Sequence, residues 1–142
     1  MRRNASQAMD LTSCTWMVRE LGEAVSCTVL LDDDSLLVGG WDGTIKHWTE
    51  VGDLVWEAKT HNRISSMVIK DGSIYATSGL HIVCLQASTG TIQWDVALEG
   101  SADAVMATSA CVLAASSVYD IEHNDFIESA IWSISFDGDV LA

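Results

Sequence analysis

Short apolar runs separated by glycine- and aspartate-rich turns make up most of the chain. In the clearest unit, an apolar run at residues 36–38 precedes a turn at 39–43, and a second β-favouring run follows at 44–48. The Asp42-Gly43 pair between these two runs indicates a β-hairpin. Turn residues then recur about every eight positions through the next repeat, with no competing helical period. The pattern predicts an all-β protein.

The hairpin unit repeats along the chain. Its outline returns at residue 74 and, more weakly, at residue 112, which gives a repeat of 38 residues. A fixed period of about 20–50 residues built from β-hairpins favours a β-propeller. We predict about three four-stranded antiparallel blades, each of roughly 40 residues. The predicted boundaries are a leader or strand remnant at 1–15, blades at 16–55, 56–93 and 94–131, and the start of a further blade at 132–142.

Tryptophans and turn glycines mark the same repeat. Trp16, Trp56, Trp94 and Trp132 are separated by 40, 38 and 38 residues. This spacing predicts that they lie at equivalent positions and pack in the core or between blades. The residues to which we assign a structural role in the repeat are Trp16, Trp48, Trp56, Trp94, Trp132, Gly43, Gly52, Gly72 and Gly90.

The third repeat allows two registers. The tryptophan period makes Trp132 the end of the third blade. The local pattern at 131–142, a strand followed by Asp137-Gly138 and a second strand, instead predicts the opening hairpin of the next blade. We favour the second register, which would make the third blade about ten residues shorter than the repeat. A polar segment at 122–126 stands where a short turn is expected.

Composition and charge narrow the range of partners. Hydrophobic residues make up 49% of the 142 residues, enough to build a core. The formal net charge of −13 disfavours nucleic acid, since phosphate backbones are bound through Lys and Arg. It also disfavours anionic membrane surfaces, and no apolar run is long enough to span a bilayer. The expected partner is a protein or peptide, with a basic one compatible with this charge.

The cysteines indicate a reducing compartment. Cys14, Cys27, Cys84 and Cys111 form no Cys-x-x-Cys pair and have no zinc-ligand spacing with histidine. Free Cys usually packs as a small hydrophobic residue. We therefore expect buried free thiols and a cytoplasmic location.

No residue set in the sequence predicts catalysis, a cofactor or a metal. The polar segment from Asp120 fails as an EF-hand loop, because its sixth position is Asp125 and its twelfth is Ile131. No histidine pair has the i, i+4 spacing of a zinc helix, and no Gly-x-Ser-x-Gly elbow is present. Hence we predict no cofactor and no metal, and the chain is not expected to be an enzyme.

Two families resemble these repeats. Residues 25–48, and 60–66 with 71–78, resemble WD-repeat blades, with His61 at the family's Gly-His position and Asp42 at its turn aspartate. Residues 85–94 resemble the Thr-Gly-x-x-x-Trp blade signature of pyrroloquinoline-quinone-like propellers, and 52–56 is a weaker copy. In that second family, blade-end tryptophans dock between neighbouring blades. A quinoprotein dehydrogenase would also carry an adjacent cysteine pair and a calcium site, and no two cysteines are adjacent here.

The resemblance implies a larger ring. Both families build propellers of more than three blades, so we expect the chain to be part of a propeller of about six to eight blades. In the alternative arrangement, two copies of this chain complete one ring. A lone arc of three blades would leave open edge strands and favour self-association.

The expected function is a non-catalytic scaffold that binds a protein or peptide through blade-end loops. The alternative is a quinone-like propeller of an oxidoreductase, or an exported assembly factor, whose site lies in missing blades. We expect one shared rim to be formed by the loops at 32–34, 40–43, 59–63 and 122–125. The candidate binding residues are Trp41, Asp42, His61, Asn62, Arg63, His123 and Asp125.

Overall fold

Eleven β-strands in three antiparallel sheets form the regular structure of residues 17–142, the part that the computed structural model describes. Trp16 and the predicted leader at 1–15 lie outside the described residues. The first sheet contains β1 (Val25–Leu30), β2 (Leu36–Gly40), β3 (Thr44–Trp48) and β4 (Leu54–Lys59). The second contains β5 (Ile64–Lys70), β6 (Ser73–Ser78), β7 (His81–Gln86) and β8 (Ile92–Ala97). The third contains β9 (Ser101–Ala107), β10 (Val112–Asp120) and β11 (Asp125–Ile134).

Each sheet is one blade of a partial β-propeller. Consecutive strands pair in chain order within every sheet, and the inner strand β5 packs against both β1 and β9. The predicted all-β propeller fold is therefore confirmed. The first two sheets end at Lys59 and Ala97, a few residues beyond the predicted boundaries at 55 and 93. No helix capable of traversing a lipid bilayer occurs among residues 17–142.

Both registers considered for the third repeat are wrong. Trp132 lies in β11, the third strand of its blade, where it pairs with Ala114 of β10. Residues 135–139 form the turn from the third strand towards the fourth, and Ser135 donates to the Asp139 carbonyl oxygen at 2.8 Å. The corresponding turns in the first two blades are closed by Thr49 and Gln86 in the same way. Residues 132–142 thus continue the third blade and do not start another.

A long hairpin explains the error in register. Gly90 and Gly138 occupy the same turn position in successive blades but are 48 residues apart, whereas Gly52 and Gly90 are 38 apart. The extra residues lengthen the hairpin of β10 and β11 to nine and ten residues, with the polar segment at its tip. This insertion moves Trp132 out of the fourth-strand position that the period assigned to it.

The hydrophobic core lies between the blades. Leu37, Ile45, Ile64, Ile74 and Val83 are buried where the first blade faces the second. A second cluster occupies the next junction, and its fully buried members include Ile82, Val112 and Ile134. Alternation along each strand sends successive side chains to opposite faces of a sheet. The middle blade therefore buries both of its faces.

The outer face of the third blade is apolar but exposed to solvent. Met106 and Ile131 are 55% and 70% exposed there, beside the half-buried Leu113. In the second blade the corresponding face, which includes Tyr75 and Ile82, is buried against the third blade. The outer face of the third blade thus has the apolar character of a blade junction.

One tryptophan at each junction binds a blade to the next blade. Trp56 in β4 donates its indole N–H to the Ala87 carbonyl oxygen of the second blade at 2.8 Å. Trp94 in β8 donates in the same way to Phe136 of the third blade, also at 2.8 Å. Each of these two indoles thus bonds to the neighbouring blade. Trp48 is instead buried beside Leu21 and Val38.

The docked indoles need a glycine in the turn that receives them. A Cβ added at Gly90 would lie 2.4 Å from Cε3 of Trp56, and the φ of Gly90 is +74°. Side chains larger than hydrogen are disfavoured at such angles. The four predicted turn glycines, Gly43, Gly52, Gly72 and Gly90, all have positive φ.

The cysteines of the described residues are free thiols. Cys84 is buried, and Cys27 and Cys111 are half-buried. Burial raises the pKa of the Cys27 and Cys84 thiols, which favours their protonated, unreactive form.

We predict that Gly90→Ala destabilises the protein more than Gly72→Ala. Both glycines have positive φ, but nothing lies within 4 Å of a Cβ added at Gly72. Both substitutions therefore cause the same kind of backbone strain. The difference between their losses in the free energy of unfolding measures the clash with Trp56. Forcing atoms into a packed site costs about 1–3 kcal/mol. Urea unfolding of both variants measures this difference, and equal losses would contradict the docking role of Trp56.

Candidate binding cleft at the blade ends

The loops alternate between two ends of the blades, because consecutive strands are antiparallel. One end carries the loops after β2, β4, β6, β8 and β10, and we call it the cleft end. Its loops are residues 41–43, 60–63, 79–80, 98–100 and 121–124. The loop at 32–34 follows β1 and lies at the opposite end. Its predicted place on the shared rim is wrong, whereas the other three loops do share one end.

An open cleft of about 510 Å³ lies at the cleft end, and all three blades contribute to it. Trp41 comes from the first blade, Leu80 from the second, and Tyr119 and Phe126 from the third. Trp41 is 51% exposed and Phe126 is 62% exposed. Three of the predicted binding residues, Trp41, Asn62 and Arg63, line this cleft.

A cation–π contact forms one side of the cleft. The guanidinium carbon of Arg63 lies 4.6 Å from the centre of the Trp41 ring. Such a contact stabilises the arginine over the face of the ring while its N–H groups remain available as donors. The Asn62 Oδ1 accepts a hydrogen bond from the Arg63 backbone N–H at 2.8 Å.

The long hairpin forms the other side. The rings of Tyr119 and Phe126 meet edge to face with centroids 5.1 Å apart. Asp103, on the inner strand β9, also lines the cleft, and it accepts hydrogen bonds from the hydroxyls of Ser101 and Ser117. The cleft therefore combines exposed aromatic surface with one cation and one carboxylate.

A buried serine anchors the loop that carries Asn62 and Arg63. The Ser78 hydroxyl oxygen accepts hydrogen bonds from the backbone N–H groups of His61 and Asn62, both at 2.9 Å. The same hydroxyl donates to Oγ1 of Thr60 at 2.8 Å. Thr60 in turn donates to the Gly43 carbonyl oxygen at 2.8 Å. This chain of bonds joins the loop to the turn beside Trp41.

Asp42 does not line the cleft. Its carboxylate pairs with the Lys59 ammonium at 2.9 Å and accepts the Thr44 backbone N–H at 3.0 Å. The hydrogen bond from Lys59 is the main reason that the pKa of Asp42 falls to about 2. These contacts give Asp42 a structural place in the turn beside Trp41.

The remaining predicted residues lie elsewhere at the cleft end. His61 contacts Asp95, and its ring stacks on that of His81 with centroids 4.0 Å apart. His123, at the tip of the long hairpin, has its Nδ1 atom 2.6 Å from Oδ2 of Asp120, which lowers the pKa of that carboxyl. The carboxylate of Asp125 accepts the Phe126 backbone N–H.

Sequence reasoning missed several residues of this end. Leu80, Tyr119, Phe126 and Asp103 line the cleft, and His81 and Asp95 accompany His61. His81 and Asp95 lie on the paired strands β7 and β8 of the second blade. The position of Phe126 depended on recognising the long hairpin.

Comparison with known proteins identifies the fold alone. No protein-family model and no curated protein sequence matches the chain. Among solved structures, the β-propeller BamB from Moraxella catarrhalis aligns with 84% of this chain at a TM-score of 0.66 and 13% identity. The designed protein Ika8 aligns with 81% of this chain at a TM-score of 0.62 and 16% identity. The designed protein Ika4 aligns with 88% of this chain at a TM-score of 0.58 and 19% identity.

The lengths of these chains differ. The aligned region is 35% of Ika8 and 37% of BamB, but 97% of Ika4. This chain thus spans about a third of the length of the first two. At these identities the similarity establishes a β-propeller and carries no activity with it.

We predict that Ser78→Ala lowers the free energy of unfolding by about 1–3 kcal/mol, because two partly buried backbone N–H groups lose their acceptor. The control is Ser88→Ala in an exposed turn at the other end, which should change stability little. Urea unfolding measures both. Similar losses in the two variants would show that Ser78 does not anchor the loop.

The pKa of Asp42 gives a separate prediction. Because the pKa of Asp42 is lower in the folded protein, its ion pair stabilises the fold at pH values above the ordinary aspartate pKa of 3.8. This contribution is lost as the pH falls towards 2. A carbon-detected NMR titration should give a value near 2. Lys59→Met should raise it, whereas Lys70→Met, in the second blade, should not. An unchanged pKa in Lys59→Met would contradict the pairing.

Proposed function

We propose that this chain is a non-catalytic β-propeller scaffold that binds a protein or peptide in the cleft at the blade ends. The observation that carries the proposal is the convergence of Trp41, Arg63, Leu80 and Phe126, from three blades, on one open cleft. Tryptophan, tyrosine and arginine are the residues most enriched among binding hot spots.

The chemistry of the cleft favours a peptide-like ligand. Aromatic rings offer contact area for apolar side chains, while Arg63 supplies hydrogen-bond donors and Asp103 supplies acceptors. An extended peptide carries apolar side chains for the aromatic rings, and its backbone carries both hydrogen-bond donors and acceptors. An open cleft of this type accommodates a chain that passes through it.

The charge of the protein favours basic segments. With a formal charge of −13, the chain attracts cationic partners over several ångströms and repels acidic ones. The Asp103 carboxylate provides an acidic group inside the cleft itself. Binding of a basic peptide is expected to weaken as the salt concentration rises.

We also propose a larger ring and a reducing compartment. The apolar outer face of the third blade, with Met106 and Ile131, suits a further blade of a six- to eight-blade propeller. Free thiols at Cys27, Cys84 and Cys111 suit the cytoplasm.

A second candidate function is a quinone-like propeller, either of an oxidoreductase or of an exported assembly factor. The docking of Trp56 and Trp94 supports it, because the resemblance to that family implies such docking. Its site would lie in blades beyond this chain. Those blades would have to supply an adjacent cysteine pair and calcium ligands for the oxidoreductase, and export would place the protein outside the reducing cytoplasm.

Selection from a random peptide library displayed on phage tests the proposal. We predict that Trp41→Ala weakens the selected peptides by about 2 kcal/mol or more, roughly thirty-fold in Kd, as expected for a hot-spot residue. Phe126→Ala on the opposite side should weaken them too. Calorimetric titration of each purified peptide gives these values.

The matched control is Val51→Ala, an exposed apolar residue in a turn at the other end of the blades. It should leave the affinity unchanged. Peptides that bind equally well to Trp41→Ala and Phe126→Ala would overturn the cleft as the binding site. Failure of the library to yield any binder would argue against peptide recognition.

A further inference from the structure

We propose that His61, His81 and Asp95 form a binding site for a divalent transition-metal ion of the zinc class. The three residues come from separate elements: the loop before β5, the start of β7 and the middle of β8. Their ligating atoms all lie within 4.8 Å of one another. This is the set of three metal-ligating side chains that residues 17–142 bring together.

The carboxylate of Asp95 faces both imidazoles. Its Oδ2 atom contacts Nε2 of His61, and its Oδ1 atom lies 3.8 Å from Nε2 of His81. Donors around a tetrahedral zinc ion lie about 3.3 Å apart, given metal–ligand bonds of about 2.0 Å. Side-chain rotations that turn the two imidazole rings apart would therefore bring all three donors onto one ion.

The two stacked histidines can share one ion once their rings turn out of the stack. The rings are 4.0 Å apart and inclined by 19°. Each neutral imidazole has one nitrogen lone pair, which lies in the plane of the ring, so this turn directs both lone pairs at the same point. A dication accepts both lone pairs and is neutralised in part by Asp95.

The ligand set matches known metal chemistry. Two histidines and one carboxylate bind zinc in catalytic sites and iron in non-haem oxygenases, with remaining positions open to water. The side chains of His61, His81 and Asp95 are 46%, 27% and 31% exposed. An ion can therefore enter from solvent and retain a water ligand.

The backbone holds the three ligands in place. His81 pairs with Ala97 and Val83 with Asp95, so the hairpin of β7 and β8 fixes two ligands relative to each other. Ser78 holds the third through the backbone N–H of His61. A Cβ added at Gly79 would lie 2.8 Å from Cβ of Asn62, so the glycine lets this loop approach the start of β7.

The bound ion would cross-link the loop at 60–63 to the outer strands of the second blade. That loop carries Asn62 and Arg63 of the cleft, but the metal site does not depend on peptide binding. The site is a local property of the second blade and its preceding loop.

Isothermal titration of the 142-residue chain with Zn²⁺ tests the proposal. We expect one ion per chain, with affinity reduced at least about tenfold in His81→Ala and in Asp95→Asn, since even outer-shell partners of metal ligands contribute about 10- to 100-fold. Zn²⁺ should also raise the unfolding temperature of the wild type more than that of either variant. Co²⁺ should give the absorption of a nitrogen- and oxygen-ligated ion.

The matched control is His123→Ala, which removes an exposed histidine that contacts only one carboxylate, Asp120. It should bind Zn²⁺ like the wild type. Circular dichroism confirms that each variant is folded, and if His81→Ala is not, Asp95→Asn decides. The proposal is overturned by absence of binding at millimolar Zn²⁺, by equal affinity in Asp95→Asn, or by a sulfur-to-cobalt charge-transfer band.

Discussion

The docking of one blade's outer tryptophan onto the next blade's turn holds the three sheets in a fixed relation. Trp56 and Trp94 repeat the same N–H to carbonyl bond at successive junctions, and each indole covers a glycine with positive φ. The apolar clusters between blades provide most of the burial, but such packing is not directional. The indole hydrogen bonds add direction. The cleft depends on this arrangement because its lining comes from all three blades.

A single loop connects this framework to the chemistry at the blade ends. The residues at 60–63 are fastened by the buried hydroxyl of Ser78, which binds two of their backbone N–H groups. The same loop directs Arg63 over Trp41 and brings His61 beside His81. The proposed peptide cleft and the proposed metal site thus have a common support. A buried polar network that is fully bonded rigidifies the groups it connects.

Hairpin signals and the 38-residue repeat were sufficient to predict the propeller, its turn glycines and three of the cleft residues. They failed where the repeat itself changes. Trp132 matched the tryptophan period only because the hairpin of β10 and β11 had lengthened by the same amount that separates the third strand from the fourth. Contacts such as that of Phe126 with the cleft, or of His61 with Asp95, join residues far apart in sequence. No local pattern encodes such proximity until the sheets are assembled.

The lengthened hairpin also removes the equivalence of the blade junctions. In a regular propeller every junction between blades offers a near copy of the same surface, so a ligand could bind at any one of several equivalent positions. Here Tyr119 and Phe126 extend past the ends of the other strands at one junction only among the three described blades. A partner that requires these two rings can bind at one position and in one orientation along the three blades. The stoichiometry of recognition would then be set by one insertion and not by the number of repeats.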